Sequence, residues 1–358
     1  MIRKLFLRLF VLIFSFFISL LIAEGIFRLF SNVTGVYYPA TWSSPAIFVE
    51  SEEGYSLLPN QKAKHYSLYG DYIVDYTTNS QGIRSRREYL KDKPKDTKRI
   101  FILGDSLIFG VGVNDNETLA SVLEEKLNRQ LQEGNHYEVL NLGVTGYTFD
   151  NSYVRLKRYL EFKPDFVIFI ILGVNDFLDI LDHEWILDKN QDIVSVKENS
   201  RHIDQYHRFV NGPKNLYKKN IFIIENIKEF LRRNSVMYTF LGTLRYRNKF
   251  KSNEFESTRK NDIEMKGLTR SIQVLNRFFD LVDKNHLKTL FILEGFYNKP
   301  VKDRFLKYLA KRTNWIIDMD DLNKIRDSYV LRDGHWSDLG NSYIADLVFK
   351  YLKDSHIL

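Results

Sequence analysis

The sequence predicts an α/β protein in which helices cover both faces of a parallel sheet, preceded by one membrane-spanning helix. Strand and helix signals alternate from residue 99 to the end of the chain. The candidate strands are continuous apolar runs, of which Phe166–Leu172 is the clearest, and such runs are typical of strands buried on both faces of a sheet. A separate apolar run near the amino terminus is about long enough to cross a bilayer.

Residues 1–30 form the predicted membrane segment. Residues 9–23 are apolar apart from two serines, and counting back to Leu5 gives the length of a bilayer crossing. Arg3, Lys4 and Arg8 predict a cytoplasmic amino terminus, with the bulk of the chain outside the cytoplasm as a single-pass membrane protein. We favour an uncleaved signal anchor because residues 19–24 offer little besides one alanine for cleavage. A cleaved signal peptide and a buried soluble helix are the alternatives.

Composition narrows the classes of function. The 358 residues carry a net charge of +7, and lysine and arginine are interspersed with aspartate and glutamate, as in residues 91–99. This mixture is typical of a solvated surface and argues against nucleic-acid binding. The chain contains no cysteine, which excludes disulfides and thiolate chemistry and is compatible with export.

A connecting region, residues 31–98, follows the membrane segment. It is rich in Tyr, Ser, Gly and Asn, and the alternation in residues 72–84 predicts short strands and turns that pack beside the sheet. The segment NSQGIR at residues 79–84 receives no predicted role in a site.

Residues 99–358 form the predicted catalytic domain. Apolar residues at helical spacing predict helices, and continuous apolar runs predict strands. The helices are expected near residues 119–134, 153–160, 268–282 and 337–352, and the strands near 137–142, 166–172, 289–294 and 315–318. An insertion at about residues 179–266 is polar, charged and aromatic. It is interpreted either as a lid or substrate platform or as a structural helical excursion.

Four short segments carry the candidate chemistry. In chain order they are GDS at 104–106, NLGVTGY at 141–147, LGVND at 172–176 and RDGHWSDLG at 332–340. Together they resemble the four blocks of the SGNH (GDSL-like) hydrolase superfamily, over roughly residues 99–352. The resemblance implies a flavodoxin-like three-layer α/β/α sandwich. It places the family's serine, glycine, asparagine and histidine at Ser106, Gly143, Asn175 and His335.

Acyl transfer explains why these residue types are needed. A serine hydroxyl is a weak nucleophile without a base, and His335 is suited to that role because imidazole exchanges protons near neutral pH. Asp333 is the nearest acid that can orient the imidazole. The tetrahedral intermediate places negative charge on the former carbonyl oxygen, which requires hydrogen-bond donors. We expect these to be the backbone N–H groups of Ser106 and Gly143 and the side-chain amide of Asn175.

Two local details distinguish this chain from related patterns. The usual fourth block is Asp-x-x-His, whereas here Arg332 stands three residues before His335 and Trp336 follows it. This DxHW form resembles SGNH-like proteins that move acyl groups on extracytoplasmic polysaccharides. An α/β-hydrolase fold is disfavoured because residues 104–108 read GDSLI, without the Gly-x-Ser-x-Gly elbow. Asp105 is expected to brace the turn by hydrogen bonding.

The predicted function is a serine esterase that removes O-acyl groups from a cell-envelope glycan or a lipid-linked carbohydrate. The first alternative is an O-acyltransferase that passes the same acyl group to a sugar hydroxyl. The second is a non-catalytic binding or scaffold protein with this fold. No metal or organic cofactor is implied. The expected partners are the acylated substrate and, through the amino-terminal helix, the membrane.

Overall fold

A computed structural model describes most of the chain in two compact units. One unit holds residues 2–34, 235 and 237–238. The other, larger unit holds residues 42–44, 47–66, 72–130, 136–173, 175–197, 257–313, 315–319, 327–330 and 334–355.

The helices and strands are numbered along the chain. The strands are β1 (Trp42–Ser44), β2 (Phe48–Ser51), β3 (Gly54–Leu57), β4 (Lys62–Tyr66), β5 (Ile73–Thr77), β6 (Thr97–Leu103), β7 (His136–Asn141), β8 (Phe166–Leu172), β9 (Glu184–Leu187), β10 (Ile193–Lys197), β11 (Lys288–Glu294) and β12 (Ile316–Asp318). The helices are α1 (Ile2–Thr34), α2 (Ser106–Phe109), α3 (Leu119–Gln130), α4 (Phe149–Tyr159), α5 (Asp176–Asp179), α6 (Ser257–Lys284), α7 (Lys299–Leu309) and α8 (Asp338–Asp354), with short 3-10 helices at Asp115–Glu117, Leu160–Phe162 and Ile180–Asp182.

Five strands form the central sheet in the order β12-β11-β8-β6-β7, and every pair is parallel. Successive side chains of a strand point to opposite faces of the sheet, so each strand contributes side chains to two hydrophobic cores. In β6, Phe101 and Leu103 join the core under α4, α6 and α7, whereas Ile100 and Ile102 join the core under α3 and α8. The sheet therefore lies between two helical layers, which confirms the predicted α/β/α architecture.

The connecting region packs against the loops that follow β6 and β7. The antiparallel strands β1-β4-β5 and the hairpin β2-β3 contribute to a third core, which includes Phe109 and Tyr147. Two tyrosines lock this contact: the Tyr55 hydroxyl donates to the carbonyl of Thr145, and the Tyr147 hydroxyl donates to the carbonyl of Tyr55. The loops carrying two of the four sequence blocks are thus supported from outside the central sheet.

Part of the predicted insertion forms a hairpin, β9-β10, that is anchored on α4. The buried Asp150 carboxylate lies 2.9 Å from Nδ1 of His183 and accepts from the Trp185 indole N–H at 2.6 Å. Trp185 therefore serves local packing. Helix α6 already begins within the expected insertion. Two aromatic residues of the insertion, Tyr206 and Tyr217, and its apolar stretch at residues 221–227 lie outside the described residues.

Helix α1 contains the predicted membrane segment. Its window Phe6–Ile26 spans 21 residues with a mean hydropathy of 2.6, and none of it is buried. By length and composition this window can cross a membrane. An anchor and a signal sequence both have these properties. Near the end of this window, the Glu24 carboxylate accepts hydrogen bonds from the Ser235 hydroxyl at 2.7 Å and the Met237 N–H at 3.1 Å.

Candidate active site

Ser106 and His335 are 229 residues apart in the sequence and meet at the carboxyl edge of the parallel sheet. The Nε2 atom of His335 lies 2.9 Å from the Oγ atom of Ser106, a distance at which imidazole can take the hydroxyl proton. Ser106 is half-buried and is the first residue of α2. The structure thus brings together the nucleophile and base that the sequence predicts.

A tight turn from β6 into α2 positions Ser106. Gly104 has φ +153°, and a Cβ atom there would lie 2.6 Å from the side chain of Ile108 and 3.1 Å from the carbonyl oxygen of Ile170. Only glycine fits such a close approach. Asp105 caps α2, because its carboxylate accepts from the Leu107 N–H at 3.0 Å. This is the bracing role expected for Asp105 from the sequence.

His335 lies on a short segment that we call the histidine strap, residues 327–330 and 334–337. Tyr329 and Trp336 form an antiparallel bridge within it. Two backbone hydrogen bonds close the strap: the Val330 N–H donates to the His335 carbonyl at 2.7 Å, and the Ser337 N–H donates to the Ser328 carbonyl at 2.9 Å. The imidazole is therefore carried by paired backbone. Asp333, the predicted acid, lies outside the described residues.

Three buried carboxyl groups lie at the carboxyl ends of neighbouring strands. Asp105 comes after β6, Asp176 after β8, and Glu294 ends β11. Burial raises the pKa of all three, and the nearby charge of Asp105 adds to the rise at Asp176 and Glu294. The pKa of Glu294 reaches about 7, whereas the charge of His335 opposes the rise at Asp105. Of the three carboxyl groups, Glu294 therefore exchanges its proton near neutral pH.

Two of the three predicted oxyanion donors have other partners in this structure. The Ser106 N–H is at the first position of α2, where no intrahelical acceptor exists. The Gly143 N–H donates to Oδ1 of Asn141 at 3.0 Å, and the Asn175 side chain hydrogen-bonds the carboxyl group of Asp179. A three-donor oxyanion hole therefore stays a prediction that requires both groups to exchange these partners for substrate.

Gly143 has a structural reason to be glycine that the sequence did not reveal. Its predicted role is to donate its backbone N–H to the oxyanion. In the structure, a Cβ atom on Gly143 would lie 2.4 Å from the backbone nitrogen of Phe109 and 2.6 Å from Cβ of Ile108. The loop after β7 thus packs directly on α2, and the glycine is needed for that contact.

Residues 79–84, which received no role from the sequence, fold into a turn that serves α2. The Asn79 side-chain oxygen accepts from the N–H groups of Gln81 and Ile83, both at 3.0 Å. Gly82 has φ +70°, and a Cβ atom there would lie 2.8 Å from the Leu57 carbonyl oxygen. This turn directs the next polar side chain, Arg84, into the interior.

Arg84 closes the carboxyl end of α2. Its fully buried guanidinium donates to three carbonyl oxygens, those of Phe109 at 2.6 Å, Gly110 at 2.5 Å and Val113 at 2.6 Å. It also pairs with Asp115 at 3.3 Å and lies 4.0 Å over the ring of Tyr76. The helix that bears Ser106 is thus fixed at both ends, by Asp105 and by Arg84.

Replacing Arg84 with methionine is expected to lower the free energy of unfolding by about 3–5 kcal/mol, because a buried ion pair would lose one partner. The matched control is Arg86→Met. Arg86 pairs with the same Asp115 at 3.0 Å, but its side chain is 63% exposed. Its loss should cost less than about 1 kcal/mol. Denaturant unfolding of the full chain in detergent measures both effects, and equal losses would contradict the role given to Arg84.

Comparison with known proteins found a matching family model and similar solved structures. The model of the GDSL-like Lipase/Acylhydrolase family matches residues 102–233, a range that includes Ser106, Gly143 and Asn175. Similar solved structures include TesA, with 13% identity over 72% of this chain and 99% of that chain and a TM-score of 0.41. A psychrotrophic esterase, EstA from Pseudoalteromonas sp., inhibited by monoethylphosphonate, has 13% identity over 73% of this chain and 100% of that chain (TM-score 0.41). An acetyl xylan esterase, AlAXEase, has 13% identity over 70% and 98% of the two chains (TM-score 0.39). No curated protein matches the chain.

Proposed function

Because the chain belongs to the SGNH (GDSL-like) hydrolase superfamily and is a serine hydrolase of the esterase class, we propose that it removes O-acyl groups from a cell-envelope glycan or a lipid-linked carbohydrate. The observation that carries this proposal is the 2.9 Å contact between Ser106 Oγ and His335 Nε2. The DGHW form of the fourth block supports the glycan substrate, since it resembles proteins that act on extracytoplasmic polysaccharides.

In the proposed reaction, the Ser106 oxygen attacks the carbonyl carbon of the ester while Nε2 of His335 takes the hydroxyl proton. The bond between the acyl carbon and the sugar oxygen then breaks, and His335 returns the proton to that oxygen. Water, deprotonated in turn by His335, attacks the acyl carbon. The bond from that carbon to Ser106 Oγ breaks, His335 returns the proton to Oγ, and the carboxylic acid leaves. Asp333 orients the imidazole, and Ser106, Gly143 and Asn175 donate hydrogen bonds to the oxyanion.

An acyltransferase is the second candidate, and the DGHW block is the observation that favours it. The acyl-enzyme would form in the same way, and a sugar hydroxyl would replace water in the second step. The binding or scaffold alternative gains no support, because Ser106 and His335 lie at hydrogen-bond distance. The two enzyme candidates differ only in what resolves the acyl-enzyme.

The fate of a labelled acetyl group distinguishes them. The full chain in detergent would be incubated with an activated acetyl ester carrying carbon-13, with and without an oligosaccharide acceptor. For an esterase we expect free acetate to equal the released leaving group in both cases, and Ser106→Ala to release neither. Label on the acceptor would establish the transferase instead. Equal turnover by Ser106→Ala would contradict both candidates.

We also propose that α1 is an uncleaved anchor with its amino terminus in the cytoplasm. The positive charges of Arg3 and Lys4 before the apolar window, and of Arg8 near its start, support this orientation. A reporter enzyme fused after Leu358 should be active only outside the cytoplasm, and the chain should stay with membranes after an alkaline wash. A soluble mature protein beginning near residue 24 would show that the segment is a cleaved signal.

A further inference from the structure

We propose that Glu294 is a positioning residue that holds His335 in line with Ser106 by anchoring both sides of the histidine strap. The inference rests on the proposed function, because it concerns the same nucleophile and base. Glu294 touches neither Ser106 nor the substrate in this account. It acts through Tyr329 and Trp336, the two residues that pair across the strap.

One oxygen of Glu294 binds both of these residues. The Tyr329 hydroxyl donates to Oε1, and the Trp336 indole N–H donates to the same Oε1 at 3.0 Å. Trp336 is adjacent to His335 in the chain, and Tyr329 is adjacent to Val330, which donates its N–H to the His335 carbonyl. The carboxylate therefore fixes both strands of the strap, one of which carries His335.

The anchor itself is rigid. Glu294 ends β11, where it pairs with Leu172 of β8, and its carbonyl accepts from the Gly173 N–H at 2.8 Å. The side chain is 4% exposed, and Trp336 is 1% exposed. If the half-buried Tyr329 hydroxyl and the buried Trp336 indole N–H lost this acceptor, the strap would shift towards other partners, because an unpaired buried donor is costly. His335 would move with it.

The second oxygen explains why a glutamine variant is informative. Oε2 of Glu294 is buried and has no hydrogen-bond partner among the described residues. Burial and the charge of Asp105 raise the pKa of Glu294 to about 7, so protonation of Oε2 costs little. Oε1 accepts in either ionisation state. A glutamine, with its oxygen at Oε1, reproduces the protonated form and keeps both contacts.

The test compares Glu294→Gln with Glu294→Leu in the full chain in detergent. Thermal melts, the rate at which a phosphonate probe labels Ser106, and kcat and KM for an activated acetyl ester would be measured. We expect Glu294→Leu to lower kcat and the labelling rate about 100-fold, the usual effect of a misplacement of about 1 Å, with KM within about threefold of wild type. Glu294→Gln should restore kcat to within about threefold of wild type.

Two further variants keep the test decisive if Glu294→Leu fails to fold. Tyr329→Phe removes one donor and Trp336→Phe the other, and each should lower kcat while Glu264→Gln, a change at a buried glutamate outside the strap, should not. Wild-type kcat in Glu294→Leu, or in both donor variants, would overturn the inference. Equal loss in Glu294→Gln and Glu294→Leu would also overturn it. Absence of labelling in the wild-type chain would instead refute the proposed function.

Discussion

Ser106→Ala is expected to abolish covalent labelling of the full chain by a serine-directed phosphonate, because this hydroxyl alone lies 2.9 Å from a candidate base among the described residues. His335→Ala should slow labelling by about 10²–10⁴-fold, the usual contribution of a general base. The alanine at 335 leaves Ser106 in place, so residual labelling at the same serine is expected. Peptide mapping by mass spectrometry identifies the modified residue.

The control for this experiment is Ser80→Ala. Ser80 is exposed on the turn at residues 79–84 and bonds only Glu88 among its side-chain contacts in the described residues. Its loss should leave the labelling rate unchanged. Modification of another serine in the wild-type chain, or an unchanged rate in His335→Ala, would contradict the pair as nucleophile and base.

The identity of the acid that supports His335 gives the second large effect. Asp333→Asn is expected to lower the acylation rate by about 10³–10⁴-fold with an unchanged melting temperature, because an amide stabilises the wrong imidazole tautomer. Rates with an activated acetyl ester and thermal melts on the full chain measure the two quantities. The expectation follows from the position of Asp333 in the DGHW block.

Asp105→Asn is the matched comparison. Asp105 is buried and caps α2 through the Leu107 N–H, and an asparagine oxygen can accept the same hydrogen bond. We therefore expect Asp105→Asn to change acylation less than about tenfold. Near-normal acylation in Asp333→Asn with a large loss in Asp105→Asn would overturn the proposed triad. It would assign the support of His335 to Asp105, whose pKa already responds to the charge of that histidine.

The sequence by itself determined the central sheet and the choice of Ser106 and His335 as the candidate reacting pair. Apolar runs such as Phe166–Leu172 are buried on both faces, and burial on both faces leaves no polar position in a strand. Ser106 and His335 were found because strand ends and short motifs are local signals. Each signal consists of a few consecutive residues and can be identified without knowing how the rest of the chain folds.

The tertiary structure alone decided how that pair is held. Arg84 meets Phe109, and Glu294 meets Tyr329 and Trp336, at separations of 25, 35 and 42 residues. Gly143 is likewise constrained by a part of the chain distant in sequence, because its backbone packs on α2. The spacing of apolar residues in the sequence does not indicate which buried donor will face which acceptor. That pairing depends on how strands and loops that are distant in the sequence pack together. In the sequence, a buried arginine or glutamate cannot be distinguished from a solvent-exposed one. Only the hydrogen-bond partners that surround it in the folded structure distinguish the two.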